Sequence, residues 1–114
     1  MNEEILGVLR ENDSILEPAI LVRDVTFRLA RIESVPIRVR VWFDALNARD
    51  PYRFELSHYA HTPTQADSYV PSAPYEDSEE RALRRAIRTL VDWVEGAERQ
   101  GHTPDPSWLV PAGT

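Results

Sequence analysis

Cysteine and lysine are both absent from the 114 residues, glycine occurs only four times, and no apolar run is long. Without cysteine there is no disulfide framework, no thiolate metal site and no thiol nucleophile, so packing alone must hold the fold. So little glycine disfavours a phosphate-cradling loop, and the sequence contains no Gly-x-Gly-x-x-Gly, P-loop, Gly-x-Ser-x-Gly or His-Glu-x-x-His pattern. The longest apolar stretches, such as Ala19 to Val22 and Val41 to Phe43, fall far short of the roughly 20 residues of a bilayer span. The acidic start Met1-Asn2-Glu3-Glu4 is unlike the basic and then apolar start of a secretory signal, so a cytoplasmic protein is expected.

All thirteen basic residues are Arg, which reflects either a coding bias or a use for planar, bidentate contacts. The net charge of −6 opposes broad attraction to nucleic acid or anionic lipid. It is unevenly spread. Residues 1–19 and 61–80 are strongly acidic, whereas residues 20–60 hold seven Arg against five acids. Apolar content of 42% with 28% charged residues fits one globular domain spanning 1–114.

A short first helix is expected over Asn2 to Arg10, with Asn2 as cap and Glu3 and Glu4 in its first turn. From Val25 the period becomes two: Val25, Phe27 and Leu29 alternate with Thr26, Arg28 and Ala30. A turn is expected at Glu33 to Pro36, then a second strand with Ile37, Val39, Val41 and Phe43 on one face. After a connection from Asp44 to Pro51, Tyr52, Phe54 and Leu56 mark a third strand. Short links favour an antiparallel three-stranded meander. A long loop follows over 61–77. Asp77 and Glu80 have capping-box spacing ahead of a long helix with Leu83, Ala86, Ile87, Leu90, Val91, Val94 and Ala97 at helical steps, stopped by Gly101 and Pro104. The fold class is therefore α+β, in the order α-β-β-β-α, with Leu83, Ile87, Leu90 and Val94 packing on Phe27, Val39, Val41 and Phe54. The tail Trp108-Leu109-Val110 is apolar enough to dock.

That element order resembles the double-stranded RNA-binding module. The module's basic cluster at the start of its last helix is replaced here by Asp77-Ser78-Glu79-Glu80, which repels phosphate, and no family is assigned.

If the helix covers one sheet face, the other is open and carries Arg28, Arg38, Arg40, Trp42, Arg53, Glu55, Ser57 and Tyr59. Guanidinium groups beside aromatic rings can hold phosphate, carboxylate or a nucleobase, while the plainer readings are that cross-strand Arg and Glu solvate the sheet or that the face pairs with a protein partner or a second copy of the chain. A second cluster, Ser57-His58-Tyr59-Ala60-His61, carries two titratable rings. Positions 58 and 61 point to opposite faces of a strand, so a shared metal would require the chain to turn between them. The function expected is a non-enzymatic interaction module using Arg38, Arg40, Trp42, Arg53, Tyr59, His58 and His61, or the 61–77 loop, without metal or other cofactor. One alternative is a small hydrolase or ligand-binding enzyme centred on His58 and His61; another is an acidic mimic of nucleic acid.

Overall fold

A computed structural model describes residues 1–44 and 48–113. In chain order these form α1 (Asn2–Arg10), β1 (Ile20–Leu29), β2 (Ile32–Phe43), β3 (Tyr52–Leu56), β4 (His58–Ala60), β5 (Tyr75–Glu76), α2 (Glu79–Arg99), a 3₁₀ turn (Pro106–Trp108) and β6 (Leu109–Pro111). The architecture is α+β. Strands β1, β2 and β3 form the expected antiparallel meander, and β5 extends it in the order β1-β2-β3-β5. A second, two-stranded sheet pairs β4 with β6. Within the connection from Asp44 to Pro51, residues 45–47 lie outside the described ones.

The first reversal falls earlier than expected, at Ala30 and Arg31, and residues 33–36 belong to β2. They sit in a register break between Phe27↔Ile37 and Leu29↔Ile32. Pro36 is tolerated there because no ladder bond needs its missing N–H. A second irregularity puts Val22 and Arg23 together opposite Val41, which keeps Val22 on the helix side and brings Leu21 beside Trp42 on the other face.

Helix α2 is capped by Ser78, whose hydroxyl accepts from Arg81 N–H at 3.1 Å. Asp77 instead meets the Arg81 side chain at 3.2 Å. At the other end Gly101, at φ +91°, closes a Schellman motif in which His102 N–H donates to Ala97 O and Gly101 N–H to Glu98 O. Helix α1 begins at Asn2 with Met1 at its cap position and no side-chain cap.

The buried stripe of α2 is Ala82, Ala86, Thr89, Leu90, Val94 and Ala97, while Leu83 and Ile87 are only half-buried. Leu90 and Val94 are buried as expected and Leu83 packs at the margin of the Val39, Val41 and Phe54 cluster, so the helix is turned partway from the expected face. Alanines replace larger side chains at the contact and let the helix backbone come close to Val39, Val41 and Phe54. Toward the C-terminal end of α2 the core changes composition: Leu90, Val94 and Ala97 meet Ile32, Ile37, Ala60, Trp108 and Leu109. The docked tail therefore supplies one wall of the core.

Candidate functional site on the open sheet face

Strand alternation sends Arg38, Arg40 and Trp42 of β2 to the face opposite α2, with Arg53 and Glu55 of β3 beside them. Trp42 is the direct partner of Arg53, and Arg40 of Glu55. These pairs are locked together. Trp42 Nε1 donates to Glu55 Oε1 at 2.7 Å, and the Arg53 guanidinium stands 5.6 Å from the Trp42 ring centroid. Glu55 also lies 3.6 Å from Arg53 Nη1 and 4.0 Å from Arg40 Nη1. Arg53 Nε donates to the buried carboxylate of Asp44 at 3.1 Å.

Arg38 makes a two-pronged contact with Asp24 on β1, Nε to Oδ1 at 2.7 Å and Nη2 to Oδ2 at 2.5 Å. Hydrogen bonding from Arg38 holds the Asp24 carboxyl below the usual carboxylate range, and the same bond raises Arg38. Asp24 and Asp44 were not among the expected site residues. Extending the alternation back from Thr26 places Asp24 on this face, but no pattern signals Asp44, which follows the end of β2.

Leu21 is the Cα partner of Trp42, so the two share the open face, and Leu21 is 41% exposed. One end of the face is therefore an apolar pair adjoined by guanidinium–carboxylate pairs. Two shallow depressions adjoin the face. One of about 500 Å³ is bounded by Arg38, Arg40, Glu55, Ser57 and the tail residues Ala112 and Gly113. The other, about 270 Å³, brings Tyr59 to Arg53 and Glu55 beside Pro71 and Pro74.

The two histidines are not drawn into this network. His58 Nδ1 lies 2.8 Å from Ser57 Oγ, which also accepts from Arg38 N–H at 2.8 Å. A hydroxyl has one donor and two acceptor positions, so this oxygen takes the Arg38 N–H and still pairs with His58 Nδ1 in either direction, as the ring tautomer dictates. Burial pushes the His58 ring down from its ordinary value, favouring the neutral imidazole. His61 takes part through its main chain, donating to Trp108 O at 2.8 Å. Among the described residues no group of three His, Cys, Asp or Glu side chains is placed to hold a metal ion.

The 61–77 loop is fastened at several points. Gln65 bridges Thr62 N–H at 2.8 Å and Ala60 O at 3.0 Å, and Thr62 is buried. Arg85 of α2 turns to the loop: it donates to Ser72 O at 2.9 Å and Ala73 O at 2.8 Å, meets Glu76 at 3.1 Å and rests over the Phe54 ring. Glu76, Asp77, Glu79 and Glu80 are paired with Arg85, Arg81, Arg23 and Arg84. Four of the five carboxylates between residues 61 and 80 are thus held in ion pairs.

No family model, no characterised protein and no solved structure matches the chain. Among the described residues no helix is long and apolar enough to cross a membrane.

Proposed function

We propose that the chain is a non-enzymatic interaction module of the cytoplasm that receives another protein on its open sheet face. The observation carrying this reading is the exposed Leu21 beside Trp42, with Arg53 next across the ladder and Arg40 and Arg38 further along β2, each Arg with a carboxylate partner. An aromatic and an aliphatic side chain held rigid beside charge-balanced pairs suit a protein surface, where aromatic and Arg anchors carry most of the binding energy. A phosphate would have to displace a carboxylate from each guanidinium, which supports a protein partner over nucleic acid. His58, His61 and the 61–77 loop then serve to brace the margin of the face.

The test is retention of a specific protein from native extract by the wild-type chain, compared with Trp42→Ala and Leu21→Glu. Both variants should remain folded and lose the partner, Trp42→Ala by about 2 kcal/mol or more in binding. A partner held equally by all three chains would overturn the reading.

A second reading rests on Ser57 and His58. Their 2.8 Å contact, with His58 biased to the neutral base, is the spacing of a nucleophile and its general base. A small hydrolase using this pair would turn over an activated ester and lose that activity in Ser57→Ala. The commitment of Ser57 Oγ to Arg38 N–H favours the bracing role.

A further inference from the structure

Strand β1 ends the order β1-β2-β3-β5, so one side of its backbone is a free sheet edge. The adjoining ladder determines which of its groups point outward. Arg38 N–H donates to Ser57 Oγ at 2.8 Å and Arg38 C=O accepts from Ser57 N–H at 2.9 Å, so both groups face away from β1. Opposed residues of an antiparallel pair exchange both main-chain bonds or neither. Thr26, the partner of Arg38, therefore turns its N–H and C=O to the free edge, and Asp24 and Arg28 follow by alternation.

We infer that two copies of this chain associate through β1, antiparallel about a two-fold axis at Thr26, joining their sheets into one. The axis can lie at Val25 or Phe27, which sets Thr26 against Asp24 or Arg28 and pairs no charges, or at one of three residues whose main-chain groups face outward. Centring on Asp24 sets two carboxylates against each other, and centring on Arg28 sets two guanidinium groups together. Thr26 alone places Asp24 of each copy, which also bonds Arg38, opposite Arg28 of the other, which also donates to Glu33 O, giving two shared opposite-charge pairs around a Thr–Thr contact. The same register sets Val25 against Phe27 of the second copy on the helix side, and both are half-buried in the single chain.

Further features of this edge fit the pairing. Asp24, Thr26 and Arg28 are all exposed, and the segment contains no proline. The ion pairs Arg23–Glu79 and Arg31–Glu98 tie α2 along β1. Between them, at four-residue steps from Glu79, the half-buried Leu83, Ile87 and Val91 extend an apolar margin beside the seam. The register breaks near Val22 and after Phe27 bracket the pairing segment and limit how far it can slip.

Sedimentation velocity on the full chain over a range of concentrations tests this. The wild type should sediment at twice its 13.1 kDa mass. Arg28→Asp and Asp24→Arg should each weaken association by about ten-fold or more, because attraction becomes repulsion at two pairs. Mixed in equal amounts, the two variants should recover a dimer, since each then meets its opposite charge at both positions. Thr26→Pro should abolish association while circular dichroism shows a folded chain, as the N–H it removes points away from β2. A wild type that stays at the monomer mass at every concentration would overturn the inference. So would folded charge variants whose mixture fails to dimerise, or a dimer that persists in Thr26→Pro. Loss of the dimer in Trp42→Ala with retention in Thr26→Pro would assign association to the open face and reject the edge. Failure of the edge prediction alone leaves the reading of that face standing.

Discussion

The Arg53 guanidinium carbon lies 5.6 Å from the Trp42 ring centroid, across a ladder in which the two residues are direct partners. The same side chain reaches Asp44, a carboxylate only 4% exposed, with Nε at 3.1 Å. One planar group thus stacks on a ring and bonds a buried acid at once. Arg53→Lys keeps the charge and loses both the fork and the stacking plane. It should lower stability by about 1–3 kcal/mol, read as a shift in urea midpoint. An unchanged midpoint would show that a point charge suffices.

The alanine face of α2 makes a second expectation specific. Ala86→Leu forces a larger side chain between the helix and Val41 and Phe54, and should cost about 1–3 kcal/mol. Leu90→Ala should cost about 2–5 kcal/mol. Ile87→Ala, at a half-buried position, should cost about 1 kcal/mol or less when measured on the monomer. Equal losses at Leu90 and Ile87 would contradict the observed rotation of the helix.

Arg85 holds the carbonyls of Ser72 and Ala73, and Ala73 sits at φ +48°, a left-handed conformation that a residue with a Cβ adopts at a cost. Arg85→Ala should free this segment while α2 stays intact. Amide exchange should accelerate at Phe54, whose N–H bonds Pro74 O at 3.0 Å, and at Tyr75, with little change at Leu90. Uniform acceleration would mean that Arg85 supports the whole fold and not the loop.

His58 gives the chain a pH dependence of definite sign. Burial lowers its pKa from 6.5 in the folded state, so the unfolded chain binds the proton more readily. Stability from this group is fully present above about pH 6.5 and is lost as pH falls through the lower folded value. Asp24 is also shifted downward, but from 3.8, so its contribution is lost only in stronger acid. Urea midpoints at about pH 7.5 and 5.0 should therefore differ more for the wild type than for His58→Asn, whose amide can still pair with the Ser57 hydroxyl in either direction. An identical pH difference in both chains would exclude His58 as the source.

Period-two alternation in β1, β2 and β3 made the outward set Arg38, Arg40, Trp42 and Arg53 legible, because one apolar face was long and uninterrupted. Tyr59 was legible on the same basis, although β4 belongs to a separate sheet. What alternation does not carry is pairing between distant segments. The strand 109–111 is three residues long, and its partner at 58–60 lies far away in sequence. The helix rotation was hidden for a different reason: a hydrophobic pattern ranks Leu83 and Ile87 above Ala82 and Ala86, while close approach to the sheet selects the small side chains. The turn was misplaced because Pro36 reads as a strand breaker, and only the register break shows that it is accommodated inside β2. Asp44 and Arg85 act through partners that local sequence cannot place.

The position of Trp108 and Leu109 in the core has a consequence for how the chain is made. Ile32 and Ile37 leave the ribosome long before the two residues that cover them. The β1–β2 hairpin is local and can close early, and α2 can form as soon as it emerges. Until residues 108–109 are free to reach back to Ala60, the end of the core near Ile37 has no lid. A nascent chain halted just after Gly101 should therefore be more susceptible to protease and to chaperone capture than one extended past Pro111, although it contains every residue of α2.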